Sequence, residues 1–82
     1  MTVQAAVNGI VVLSGECPSE DAEPLQRYLL ADPVPAVDWR TCETLHAAVF
    51  QVLLVARPQM VGPPRTDFLR QLAGHLPRAG KL

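Results

Sequence analysis

The spacing of apolar and polar positions changes several times along the chain, and each change marks an element. From Thr2 to Val7 the two kinds alternate weakly, and Asn8-Gly9 follows. An Asn-Gly pair between apolar runs is a strong hairpin signal. Val3–Val7 and Ile10–Ser14 are therefore predicted as paired strands, the second apolar enough to be central in a sheet and ended by Gly15. An acidic connection, Glu16 to Glu23, leads into a helix reaching about Leu30, with Ala22, Leu25, Leu29 and Leu30 as its buried stripe. Pro24 belongs in the first turn, where its missing N–H costs little, so Asp21 or Glu20 is the cap. Asp32-Pro33-Val34-Pro35 is a turn.

The stretch from Val37 to Pro58 organises the rest. A short strand, Ala36–Trp39, precedes a polar loop, Arg40–Glu43. Thr44 is placed to cap a long apolar helix that Pro58 stops. Gln59–Val61 is a further short strand, closed by Gly62-Pro63-Pro64. Thr66 or Asp67 caps a last helix, Phe68 to about Leu76, with Phe68, Leu69, Leu72 and Leu76 inward. Strands that alternate with helices of this length predict an α/β fold: about four strands in a mixed sheet, with helices packed on one face.

Composition narrows the function classes. The chain has 82 residues, 49% hydrophobic and 18% charged, which suits one small domain over residues 1–82. A net charge of -1 lacks the basic footprint of a nucleic-acid binder. Acids dominate up to Val55 and basic residues dominate beyond it, an asymmetry that can steer partners. The N-terminal stretch lacks a basic segment followed by a long apolar run. The central apolar run is interrupted by His46 and Gln51 and is too short to insert into a membrane. A cytoplasmic location follows as the expectation, with Cys17 and Cys42 as reduced thiols.

Several short segments, spaced in the right order, carry a resemblance. Leu13 to Glu16 reads LSGE, followed by Ala22, Leu25 and Leu29; Val37-Asp38-Trp39 then leads to Leu45-His46-Ala47-Ala48-Val49-Phe50. This arrangement resembles the STAS domain, the fold of bacterial anti-sigma factor antagonists and of the cytoplasmic tails of sulfate transporters. The resemblance covers roughly Val3 to Leu76. It implies a protein-binding, non-enzymatic regulatory module without a cofactor. The implied partner is another cytosolic protein: an anti-sigma-type kinase, another regulator, a transporter ATPase subunit, or a second copy of the chain. Family members that switch carry a phosphorylated Ser or Thr at the start of the second long helix. Here Ala47 aligns with it, with His46 in place of the preceding aspartate and Val49 in place of a glycine, so no phospho-switch is implied there. Thr41 and Thr44 are the nearby hydroxyls.

The helix after Thr44 gives the candidate interface. At about 100° per residue, Leu45, Ala48, Val49, Val52, Leu53 and Ala56 share one face. The other face holds His46, Ala47, Phe50, Gln51, Leu54 and Arg57, unusually apolar for an outer surface. Phe50 and Leu54, one turn apart, are expected to form a partner-binding patch beside Ala47. The candidate contact set is thus Thr41, Thr44, His46, Ala47, Phe50, Gln51 and Leu54. A second reading, from a different class, is a small-ligand, metal or thiol site built from Cys17, Cys42 and His46. Its spacing lacks paired ligands and a fourth donor, and no metal is expected.

Overall fold

The computed structural model describes residues 3–76. Strand β1, Val3–Val7, turns back at Asn8 and Gly9 into β2, Ile10–Cys17. Both turn residues have positive φ, 56° and 77°, the twist a tight hairpin needs between right-twisted strands. A single 3-10 turn, Ser19–Asp21, opens α1, Ala22–Leu29. Strand β3 is Ala36–Leu45, α2 is Ala47–Ala56, β4 is Met60–Val61 and α3 is Asp67–Ala73. The sheet runs β1-β2-β3-β4. The first pair is antiparallel, and β2-β3 and β3-β4 are parallel, the connections between them being α1 and α2. The architecture is α/β with a four-stranded mixed sheet, as the sequence predicts.

One sheet face is apolar and packs against the helices. Val11 and Leu13 of β2 alternate inward beside Val37 and Trp39 of β3, all essentially inaccessible to solvent. Leu25 and Leu29 of α1, Val49 and Leu53 of α2, and Leu69 of α3 close over them. Full burial of one such Val or Leu stabilises by about 1.5–3 kcal/mol, so this cluster is the fold's principal support. Trp39 is core, and its indole N–H donates to the Gly62 carbonyl at 3.3 Å, tying the turn after β4 to the sheet. On the other face, Gln4, Val12, Asp38 and Val61 share one register row, exposed or half-buried.

The predicted boundaries fail where β3 was read as a loop. Arg40–Glu43 is strand, and Thr44 is the strand's penultimate residue instead of a helix cap. The register explains this. Val12 pairs with Asp38 but Ser14 with Thr41, and Gly15 pairs with Cys42 but Glu16 with Thr44. At each shift β3 spends one more residue than β2, which is a bulge. Burial along β3 accordingly recurs every third residue, at Trp39, Cys42 and Leu45, and a period of two cannot find it. Gly15 does not end β2 either; it takes φ 65° at the second shift and the strand continues to Cys17.

Smaller differences have the same local character. Leu30 is 76% exposed, because α1 ends at Leu29 and the next residue is turned off its buried stripe. Phe68 is 49% exposed, since Leu69, Leu72, Ala73 and Leu76 form the inward side of α3 and its surroundings. Thr66 caps α3 as predicted, its hydroxyl accepting the Leu69 N–H at 3.2 Å while donating to the Glu43 carbonyl at 3.2 Å.

Candidate functional site

Strands β2 and β3 end together, Cys17 opposite Leu45, and their carboxyl ends face the start of α2. In open α/β sheets the crevice beyond strand carboxyl ends is the usual place for a ligand or partner. The chain turns there on His46. Its backbone N–H donates to the Cys17 carbonyl at 2.9 Å, which joins the end of β2 to the entry of α2. Its side chain caps the helix, Nδ1 accepting the Ala48 N–H at 3.0 Å. Its carbonyl accepts the Val49 and Phe50 N–H groups at 2.9 and 3.1 Å. His46 therefore does what the sequence assigned to Thr44. Histidine is an uncommon cap, and its signal lay in the residue after the bulged strand.

An open pocket of about 320 Å³ lies at this junction, lined by Glu16, Cys17, Pro18, Thr44, Leu45 and His46. Thr44, His46, Ala47 and Gln51 are all solvent-exposed. Thr41 is exposed too, but it sits further back on β3, where its hydroxyl donates to the Leu13 carbonyl at 3.2 Å. Of the expected patch of Phe50 and Leu54, the packing corrects Phe50. Phe50 is half-buried against the core, and Leu54 is half-buried as well. The large apolar side chain of α2 that is exposed is Val55, at 73%. It lies on the side towards α1, where a groove of about 300 Å³ is lined by Gln26, Leu29, Leu30, Gln51, Val52 and Val55 among others. Helical spacing put Leu30 in the buried stripe of α1, whereas it is an exposed rim residue at the helix end, and it assigned Val55 to neither face of α2.

The two cysteines do come together. Their sulfurs are 3.9 Å apart, on adjacent strands and both buried. Cys42 Sγ also donates to the Thr44 carbonyl at 3.5 Å. The contact with Cys17, together with burial, pushes the Cys42 thiol well above its ordinary value. His46 spends its Nδ1 on the helix cap. Among the described residues no group of three His, Cys, Asp or Glu side chains is placed to hold a metal ion.

Two acids near these surfaces have opposite surroundings. Asp21, in the turn leading to α1, is only 7% exposed, and its Oδ2 has no hydrogen-bond partner. It occupies the cap position predicted for it, yet its side chain makes no capping bond. Burial raises its pKa above the usual carboxylate value. Asp38, on the open face, accepts from Arg40 three times: from the backbone N–H at 3.0 Å, Nε at 3.1 Å and Nη2 at 2.8 Å. Those bonds hold its carboxyl below the usual range. The stem of Arg40 also fills the space beside the Gly62 α-carbon.

Among the described residues no helix is long and apolar enough to cross a membrane. Comparison with known proteins finds no matching family model, no match among curated proteins and no match among solved structures.

Proposed function

We propose that the chain is a STAS-like protein-interaction module of the cytoplasm, non-enzymatic and without the family's phospho-acceptor. The observation that carries this reading is the surface at the amino end of α2. Ala47, the first residue of that helix, is exposed beside an open pocket, where the resemblance puts the switch hydroxyl. The mixed sheet with helices on one face supports it, since the resemblance implies that architecture. The binding surface consists of Thr44, His46, Ala47 and Gln51, extended towards Leu30 and Val55 by the groove between α1 and α2. Its partner is another cytosolic protein, of the anti-sigma-kinase, regulator or transporter-ATPase kind.

Co-purification of the tagged chain from its own cells tests this. The expected outcome is capture of a discrete partner by the wild type and weaker capture by Ala47→Arg, a change at an exposed position that leaves the melting curve in place. A protein recovered with phosphate on Thr41 or Thr44, and unable to bind its partner in that form, would overturn the unswitched reading. Stoichiometric metal in native protein would favour the other reading, a site at Cys17, Cys42 and His46.

A further inference from the structure

We propose that Cys17 and Cys42 are a dithiol switch, closing to an intramolecular disulfide on exposure to a peroxide and resetting the start of α2. The placement of the pair carries the inference. β2 and β3 are parallel neighbours, and the bulges in β3 turn Cys42 to the same inward side as Cys17. The sulfurs stand 3.9 Å apart, and a disulfide requires about 2.0 Å. Cys42 lies opposite Gly15, two residues short of Cys17, so closure takes backbone movement at the register shift between Gly15 and Glu16 together with rotation about the Cα–Cβ bonds.

Both side chains are buried, Cys17 at 2% exposure and Cys42 at 0%. Cys17 is also a lining residue of the open pocket, so the approach of a molecule the size of hydrogen peroxide is from that side. Attack of the Cys17 sulfur on the peroxide forms an S–O bond and breaks the O–O bond. This gives a sulfenic acid and one water, with the sulfur oxidised and the peroxide reduced. Cys42 then attacks the sulfenic sulfur. The S–S bond forms, the hydroxyl leaves, and the Cys42 proton completes a second water. Because burial and the neighbouring sulfur hold Cys42 protonated, closure is slow at neutral pH and quickens as pH rises.

The bond would act on the surface through contacts already present. Closing it withdraws the Cys42 S–H from the Thr44 carbonyl. It also moves Cys17, whose carbonyl holds the His46 N–H. Thr44 and His46 both border the pocket, and His46 caps α2, so the thiol state is transmitted to the exposed junction. This inference does not depend on who the partner is.

The test treats folded wild-type protein with hydrogen peroxide. The expected product is a monomer lighter by two hydrogens, with no thiol titratable after unfolding and full recovery in dithiothreitol. Trypsin should then release the peptide ending at Arg27 linked to the one spanning Thr41–Arg65. The amide signals of His46 and Ala48 should shift on oxidation. Thiols that survive in folded protein but react in urea would overturn the switch, as would separate sulfinic acids or a disulfide between chains. A correct disulfide with unmoved His46 and Ala48 signals would overturn its action on α2. In Cys42→Ala, Cys17 should stop at a sulfenic acid that dimedone traps. If that variant does not fold, the wild-type mass and peptide map still decide.

Discussion

Replacing Gly62 by alanine tests the packing on the open face of the sheet. Gly62 has φ 79°, in the left-handed region, where a residue with a Cβ costs roughly 1–2 kcal/mol. Gly9 has nearly the same φ, 77°, with nothing within 4 Å of an added Cβ. Gly9→Ala therefore isolates the backbone cost. Reduced freedom in the unfolded chain offsets it by about 0.4–1 kcal/mol, leaving a net loss near 1 kcal/mol. At Gly62 the new methyl would overlap Cγ and Cδ of Arg40. Either the arginine moves and gives up its pair with Asp38, or the turn moves and strains the bond from the Trp39 indole to the Gly62 carbonyl. The first is a small loss, screened by solvent because Arg40 is exposed; the second costs about 1 kcal/mol. Gly62→Ala should thus lose roughly 1 kcal/mol more than Gly9→Ala.

Urea unfolding of four proteins reads the coupling: wild type, Gly62→Ala, Arg40→Ala and the double variant. Without the arginine stem, the Gly62→Ala cost should fall to that of Gly9→Ala. For a domain of this size 1 kcal/mol is roughly 4–8 °C in Tm, so thermal melting resolves the difference as well. A coupling under about 0.5 kcal/mol is ordinary additivity. If Gly62→Ala costs no more than Gly9→Ala, or if Arg40→Ala gives no relief, Arg40 does not lie over this turn.

Other outcomes follow from particular contacts. Asp21 has a raised folded pKa, so its contribution to stability is fully present below the unfolded value of about 3.9 and is lost as pH rises through the folded value. Asp21→Asn should therefore raise Tm at pH 7 and do little near pH 3; a loss at pH 7 would show that Oδ2 has a partner after all. Asp38 has the opposite sign, with stabilisation present above the unfolded pKa and lost as pH falls through the depressed value. Asp38→Asn should cost under about 1 kcal/mol at neutral pH and approach nothing in strong acid, as measured by melting across pH. Leu53→Ala, at a fully buried site, should cost about 2–5 kcal/mol in urea unfolding, whereas Val55→Ala should cost within about 0.5 kcal/mol. In a partner pull-down the order should reverse: Val55→Ala with Leu30→Ala weakens capture while the domain stays folded.

Where an element repeats with one period and ends on a residue that forces the end, the sequence was legible. Asn8-Gly9 places the first hairpin, Thr66 caps α3, and Pro58 follows α2, whose last turn closes on Arg57 at φ 54°. The order of strands and helices, and so the fold class, came from the same signals. Solvent exposure at element ends was less accessible. Leu30 and Phe68 are apolar side chains next to true stripe positions, and a shift of one residue, or 100°, takes them out of the core. Phe50 shows the converse. A single-stripe picture of α2 leaves it outside, yet neighbouring parts of the chain half-bury it. Which elements close over a second face of a helix is a tertiary fact that no spacing along that helix contains.

The site was obscured for a different reason, and that reason also builds it. Two residues inserted into β3 relative to β2 break the alternation, so the stretch from Arg40 to Glu43 resembles a polar loop. Unbroken alternation of the same residues from Trp39 would turn Thr41 and Glu43 inward and Cys42 outward. With the bulges, Cys42 and Leu45 follow Trp39 into the core, and Arg40, Thr41, Glu43 and Thr44 stay in solvent. The longer β3 also ends level with β2, at Leu45 opposite Cys17, so that His46 can bond to the Cys17 carbonyl and cap α2 in one residue. The paired sulfurs, the open pocket and the exposed Ala47 are then consequences of one local irregularity. Removing one inserted residue, by deleting Thr41, takes out the first bulge and restores plain alternation from Trp39, so Cys42 and Leu45 keep their inward sides. The deletion should therefore cost little more than Thr41→Ala, which removes a part-buried hydroxyl bond to Leu13 worth about 1 kcal/mol. A deletion that costs several kcal/mol more than the substitution, in urea unfolding, would mean that Thr41 is not the extra residue and that the bulge does not set the register.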